Sequence, residues 1–274
     1  MTPEKIRIER EFRDYQDNYG HDGQEVPLGV WLQNNYSGDT FLKRRLSIIV
    51  KYALSLPQSS TYLEIGCGSG DAMSFVQSKI ANQKSKVVYS DPSLSLMERF
   101  VPMTRNFFSL SGTEFRLMPF NAEKIPFQDN YFDLIIAKAT VHHFDNPGAA
   151  FSEIYRVLKP GGIFYFCNDP QRGFLYNFGS EQKRASKKEQ IKGVNCRVYR
   201  HRNYIAFGKL FEMNYQVDPS LESEILRVIR NKPKILNFLV FRLFQSDFGK
   251  LLLSRKMKLP IMYIAKKSRE CEIC

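Results

Sequence analysis

The chain has 274 residues, 43% hydrophobic and 25% charged, which is ordinary for a folded globular protein and excludes disordered, collagenous and coiled-coil readings of the whole chain. That length suits one large domain, or one domain with a sizeable insertion. The net charge of +12 is uneven: residues 1–180 hold 19 Lys/Arg and 19 Asp/Glu, residues 181–274 hold 21 and 9. A basic C-terminal third fits contact with nucleic acid, a membrane surface or an anionic substrate, and equally a plain solvated face. No run approaches the roughly 18–20 apolar residues of a membrane span. The charged start Met1-Thr-Pro-Glu-Lys-Ile-Arg lacks the apolar region of a signal peptide. The five cysteines are scattered and set no disulfide framework, so a reducing cytoplasm is expected.

Residues 1–38 are polar and aromatic, with Tyr15, Tyr19 and Trp31 among acids and amides, and suit one short helix with loops. Asp39 is placed to cap a helix whose apolar positions include Leu42, Leu46, Ile49 and Ala53, ended by Pro57. Strands and helices then alternate. Tyr62–Ile65 is a strand, Asp71–Ile80 a helix, Val87–Ser90 a strand stopped by Asp91-Pro92, and Ser93 opens the next helix. Glu114–Met118 and the apolar Phe132–Ala137 are further strands, and Pro147–Leu158 is an amphipathic helix. Lys159-Pro160-Gly161-Gly162 breaks it before the strand Ile163–Cys167. Such alternation means a doubly wound parallel sheet. Beyond Asp169, residues 171–195 read as polar loop, Asn203–Met213 as a helix, Tyr215–Val217 as a strand, Ser220–Lys258 as mostly helical and basic, and Ile261–Ala265 as a last strand. Ile235–Phe244 is strongly apolar within that basic stretch.

The sharpest motif is Glu64-Ile-Gly66-Cys-Gly68-Ser-Gly70, which follows a strand and opens a helix. Glycines there permit a tight turn and a ligand close to the backbone, and the N–H groups of the helix start favour its polar end. Asp91 closes the second strand, where a carboxylate can accept from both hydroxyls of a ribose. Phe120-Asn121-Ala122-Glu123 follows the third strand, where an adenine ring can lie. His142-His143 stands past the fourth strand, and a neutral imidazole there can take a proton from a hydroxyl. Cys271 and Cys274 form a terminal C-x-x-C with no second pair at zinc spacing, so no metal is expected.

With LEIGCGSG, YSDPS, FNAEKIPFQDNYFDLIIA, VHHF and EIYRVLKPGG in order over residues 62–165, the chain resembles the class I S-adenosylmethionine (SAM) methyltransferases. The subgroup is the type 11 kind that includes quinone-biosynthesis enzymes. The resemblance implies a Rossmann-like α/β fold with a seven-stranded, mostly parallel sheet whose last strand is antiparallel. It implies an N-terminal helical lid over 1–38, a SAM-binding core over 39–170, a basic helical insertion over 171–259 shaping the acceptor pocket, and a last strand and tail over 260–274. It assigns Gly66, Gly68 and Gly70 to the turn under the methionine part of SAM, Glu64 to orienting that loop, and Asp91 with Pro92 to the ribose. Asn121, where the family has Asp, and Ala122 fall at the adenine edge; Asn keeps an acceptor and loses the charge. Lys138 and the histidines line the mouth, with His143 the candidate base and His142 beside it. Tyr19, with Tyr15, belongs to the lid and reaches the cofactor.

The expected activity is methyl transfer from SAM to an oxygen or nitrogen of a small biosynthetic or secondary-metabolite molecule, releasing S-adenosylhomocysteine without a metal. Alternatives are a lipid or quinone acceptor at a membrane surface, a tRNA acceptor, or a SAM-binding protein without catalysis.

Overall fold

The computed structural model describes residues 19–21, 24–80, 85–110, 112–170, 196–217, 242 and 261–269. A short hairpin of β1 (Tyr19–His21) and β2 (Gln24–Val26) precedes α1 (Leu28–Tyr36) and α2 (Phe41–Ala53). The alternating stretch follows: β3 (Thr61–Ile65), α3 (Asp71–Lys79), β4 (Lys86–Ser90), α4 (Leu94–Phe107), β5 (Phe115–Leu117), β6 (Phe132–Lys138), α5 (Pro147–Val157) and β7 (Leu158–Cys167). The described chain closes with α6 (His201–Phe207), β8 (Glu212–Val217) and β9 (Ile261–Lys266).

Seven strands form one sheet in the order β5-β4-β3-β6-β7-β9-β8. The pairings from β5 to β7 are parallel, and β9 enters antiparallel between β7 and β8. The expected antiparallel last strand is therefore Ile261–Lys266. Side-chain alternation gives the central strands β3, β4, β6 and β7 two apolar faces, as a parallel sheet covered by helices requires. Tyr62, Val87, Tyr89, Leu134 and Ile136 face the layer built from α1 to α4, while Leu63, Val88, Ile135, Phe164 and Phe166 face α5 and α6. All of β6 is buried.

Four local expectations differ from what forms. Thr40 caps α2 by accepting from the Lys43 N–H, while Asp39 chelates the Arg44 guanidinium at 2.8 and 2.6 Å. Lys159–Gly162 does not separate helix from strand: β7 runs through it, because a register shift opposite Phe132–Leu134 and the left-handed Gly161 absorb the extra residues. The helix expected over Asn203–Met213 stops at Phe207, with Gly208 as its C-cap, because Glu212–Val217 pairs with β9 and takes Met213 into the sheet. Residues 196–217, expected within a helical insertion, supply α6 and an edge strand of the main sheet. Tyr15, Ile235–Val240 and Cys271–Cys274 lie outside the described residues, and so do the expected loop over 171–195 and most of the helix over 220–258.

Candidate active site

The carboxyl ends of β3, β4, β6 and β7 gather the polar residues that interrupt an otherwise apolar core. Gly66, Gly68 and Gly70 all adopt left-handed φ, at 60°, 52° and 72°. A Cβ at Gly66 would stand 2.2 Å from Thr140 Cγ2, and one at Gly70 2.8 Å from the Tyr89 ring. Conformation and space thus both demand glycine at these two positions. The Thr140 hydroxyl donates to the Gly66 carbonyl at 3.1 Å, tying the loop to the end of β6.

Asp91 holds the loop from the other side. Its Oδ2 accepts the Gly68 N–H at 3.2 Å and its Oδ1 accepts the Ser93 N–H at 3.1 Å. It therefore works as the turn carboxylate before α4 and as a partner of the glycine loop together. Pro92 beside it is half-buried. Asn121 and Ala122 lie in the turn after β5; the Asn121 carbonyl accepts the Lys124 N–H at 3.0 Å, and Ala122 is buried. The preceding Phe120 carbonyl accepts the Ser90 hydroxyl at 3.3 Å, which ties this turn to the end of β4.

Under the loop is a charged cluster. Glu64 Oε2 accepts the Met73 N–H at 2.9 Å in the first turn of α3, while Oε1 is buried with no hydrogen-bond partner. Asp71, fully buried, accepts from the Tyr36 hydroxyl and from Ser69 at 3.1 Å, and its Oδ2 pairs with Lys138 Nζ at 2.8 Å. Lys138 also lies over the Trp31 ring, 5.0 Å from its centre. Trp31 and Tyr36 both come from α1, so this helix of the N-terminal segment packs on the loop's foundation. Tyr19 sits in β1 opposite Val26.

Burial, then the Asp71 charge, push the Glu64 carboxyl up to about 8, against a smaller pull from the Met73 N–H and Lys138. The folded state then keeps this proton to higher pH than the unfolded chain does. Stability from this source is full below the ordinary 4.5 and is lost as pH rises towards about 8. Glu64→Gln should accordingly flatten the fall in unfolding midpoint between about pH 5 and pH 8; an unchanged slope would contradict the buried, proton-holding carboxyl.

Past β6, a 3-10 turn over Val141–His143 presents the two histidines, their ring centroids 3.9 Å apart. The carboxylate partner belongs to His142: its Nδ1 lies 2.8 Å from Asp169 Oδ1, and its backbone N–H donates to the same atom at 2.9 Å. Sequence reasoning favoured His143 as base and gave Asp169 no role. The one signal for Asp169 was its place just past a parallel strand, at the ligand-binding edge of such sheets. Among the described residues no group of three or more His, Cys, Asp or Glu is arranged to hold a metal ion. Nor is any described helix long and apolar enough to cross a membrane.

A doubly wound sheet with β9 reversed between β7 and β8, and a glycine loop answered by a carboxylate on the next strand, make a Rossmann-like α/β fold. Residues 63–166 match the type 11 family described as a methyltransferase domain. The chain is 31% identical over 113 residues to a malonyl-[acyl-carrier protein] O-methyltransferase of Marinomonas sp. (strain MWYL1), covering 41% of this chain and 39% of that one. It is also 31% identical over 105 residues to the ubiquinone/menaquinone biosynthesis C-methyltransferase UbiE of Escherichia coli, covering 38% of this chain and 41% of that one. The matched stretches thus span about two-fifths of the length of these relatives. The solved structure of geranyl diphosphate C-methyltransferase from Streptomyces coelicolor A3(2) shares the fold, with a TM-score of 0.58 over 97% of this chain and 98% of that one at 14% identity. Residues 63–166 are thus similar to the class I, SAM-dependent methyltransferase domains of the type 11 group. At the site the glycine loop packs tightly on Thr140 and Tyr89, where a Cβ at Gly66 or Gly70 would clash, and the buried Asp91 at the end of β4 binds the loop at Gly68.

Proposed function

We propose that the chain is a methyltransferase moving the methyl group of SAM to an oxygen or nitrogen of a small molecule, a biosynthetic or secondary-metabolite intermediate. The observation that carries this reading is the left-handed loop Gly66–Gly70 hydrogen-bonded to Asp91. When bound, SAM supplies a methyl carbon already electrophilic on its sulfonium, so the protein's part is alignment and a place for a proton. Gly66, Gly68 and Gly70 give backbone approach to the methionine part, and Glu64 fixes that loop through Met73. Asp91 takes the ribose hydroxyls, with Pro92 beside it, and Asn121 and Ala122 take the adenine edge. Lys138 supplies the positive charge under the loop. Tyr19 and α1 form the cover on the N-terminal side. His142 and His143 stand where an acceptor enters.

The match to UbiE, named for quinone biosynthesis, favours a second reading: a lipid or quinone acceptor, with carbon as the methylated atom. Vesicle co-sedimentation of the full chain would support it.

The cofactor assignment is tested by calorimetry. The wild-type chain should bind SAM, and Gly68→Arg should abolish binding, because its side chain would fill the space over the loop. Unchanged affinity in Gly68→Arg would remove the loop from the site.

A further inference from the structure

The pairing of His142 with Asp169 is built by left-handed backbone at the exits of two neighbouring strands. β6 and β7 are parallel neighbours whose last residues, Lys138 and Cys167, stand side by side. Each strand leaves the sheet through a non-glycine residue in the left-handed region, Ala139 at φ 53° and Asn168 at φ 64°. The two reversals are joined, since the Ala139 N–H donates to the Cys167 carbonyl at 2.8 Å. Left-handed backbone at a residue with a Cβ persists only where its surroundings enforce it, and it concentrates at functional sites. Here it turns both chains so that His142 and Asp169 meet.

Asp169 Oδ1 receives the backbone N–H of His142 at 2.9 Å and lies 2.8 Å from the ring Nδ1. An oxygen already accepting one N–H makes Nδ1 the protonated ring nitrogen and puts the ring's lone pair on Nε2. Asp169 is buried, and its Oδ2 has no hydrogen-bond partner. A buried carboxylate with an unmatched oxygen is short of positive charge, and a proton arriving on the imidazole supplies it at close range.

We propose that His142 is the proton acceptor of the reaction, that Asp169 is its positioning residue, and that the acceptor molecule presents a hydroxyl group rather than an amine. The proposal rests on the methyl-transfer reading above. In the step assigned here the acceptor's O–H bond breaks, its electron pair stays on oxygen, and the proton passes to His142 Nε2, where Asp169 balances the imidazolium. A neutral amine attacks with its own lone pair and sheds its proton to solvent after the transfer, whereas a hydroxyl becomes a strong nucleophile only as its proton leaves in the step, which is what a positioned base supplies. His143, packed against the His142 ring, holds its plane.

The pair takes up and releases its proton as a unit. Burial raises the Asp169 carboxyl, against a pull from the backbone N–H groups of His142, Val141 and Thr140. Its titratable and charged neighbours are His143 in the same turn, Cys167 at the end of β7, Tyr204 in α6, and Arg197, whose N–H donates to the His142 carbonyl and whose guanidinium donates to the Asp145 carbonyl.

The test uses the full chain labelled with nitrogen-15 in its four histidines, His142 being assigned by loss of its signals in His142→Gln. The wild type should show His142 protonated on Nδ1, and Asp169→Asn should give a mixture of tautomers; an Nε2–H tautomer in the wild type would overturn the dyad. With labelled SAM and the small-molecule fraction of a cell extract, His142→Gln should lower kcat about 100-fold while SAM affinity stays within about 2-fold. Asp169→Asn should move the pH at half-maximal rate downwards, and His142→Gln carries the test if that variant fails to fold. An unshifted profile would make Asp169 structural and overturn the proposal. The labelled product should pass an acidic cation exchanger as an ether; retention as a methylated amine would overturn the hydroxyl assignment. Absence of SAM binding by the wild type would overturn the underlying reading, whereas intact binding with the wrong tautomer overturns the dyad alone.

Discussion

Gly66→Ala should cost this protein its cofactor and much of its stability. Two independent effects add at this residue. An alanine would hold φ near 60°, in a region where side-chain-bearing residues are strained, and its Cβ would stand 2.2 Å from Thr140 Cγ2. Backbone strain costs about 1–3 kcal/mol and overpacking about as much again. A loss of about 2–6 kcal/mol lowers the melting temperature of a chain this size by about 4–24 °C. SAM affinity should fall at least about 10-fold, because a shift of roughly 1.4 kcal/mol in the loop is already one decade. The double variant Gly66→Ala/Thr140→Ser separates the two effects: it removes the 2.2 Å contact with Cγ2, keeps the hydroxyl that donates to the Gly66 carbonyl and leaves the strain, so it should recover part of the lost stability. Full recovery would show that the backbone conformation carries no cost, and no recovery would show that the Cγ2 contact carries none of the loss.

Lys138→Met should be nearly as damaging, for an electrostatic reason. The Lys138 and Asp71 side chains are 4% and 0% exposed and pair at 2.8 Å, with the Glu64 carboxyl alongside. Removing one partner of a buried pair leaves an uncompensated charge and costs about 3–5 kcal/mol. Replacing both partners with apolar groups is often close to neutral. Lys138→Met should therefore depress the unfolding midpoint strongly, and Lys138→Met with Asp71→Leu should restore most of it. The Tyr36 hydroxyl that donates to Asp71 loses its acceptor in the double variant, so recovery stops short of the wild type. If the double variant is no better than the single one, the ion pair is not the source of the loss. Trp31, the sole tryptophan, lies 5.0 Å from Lys138 Nζ, and its fluorescence reports the cluster directly.

The alternating part of the fold was legible because its signals are local. A glycine loop between a strand and a helix, an acid at the end of the next strand, and the apolar run at 132–137 each depend on neighbours in sequence. The observed strands β3, β4, β6 and β9 lie within a residue or so of where periodicity places them. What was missed depends on contacts distant in sequence. Lys159–Gly162 looks like a chain break, yet Lys267 and Gly161–Gly162 exchange backbone hydrogen bonds across β7 and the end of β9. Asn203–Met213 has helical apolar spacing, but β9 offers pairing partners to Glu212–Val217 and draws Met213 into the sheet.

The same divide runs through the site. The loop glycines, Glu64 and Asp91 were readable from a motif, and the structure brings Gly68 and Asp91 into hydrogen-bond contact. Asp71 and Tyr36 were not readable, since their link to Lys138 joins residues from α1, α3 and β6. Asp169 was not readable either, because its partner lies 27 residues away on the neighbouring strand's exit. Of two adjacent histidines, sequence has no means to choose the one whose backbone and ring share a carboxylate.

The most direct test of methyl transfer to a small molecule incubates the full chain with SAM carrying a labelled methyl group and a cell extract separated into polar small molecules, lipids and RNA. The account predicts label in the polar small-molecule fraction, lost in Gly68→Arg. Label confined to lipid or RNA would contradict the acceptor class, and no label in any fraction while calorimetry shows SAM bound would contradict catalysis itself.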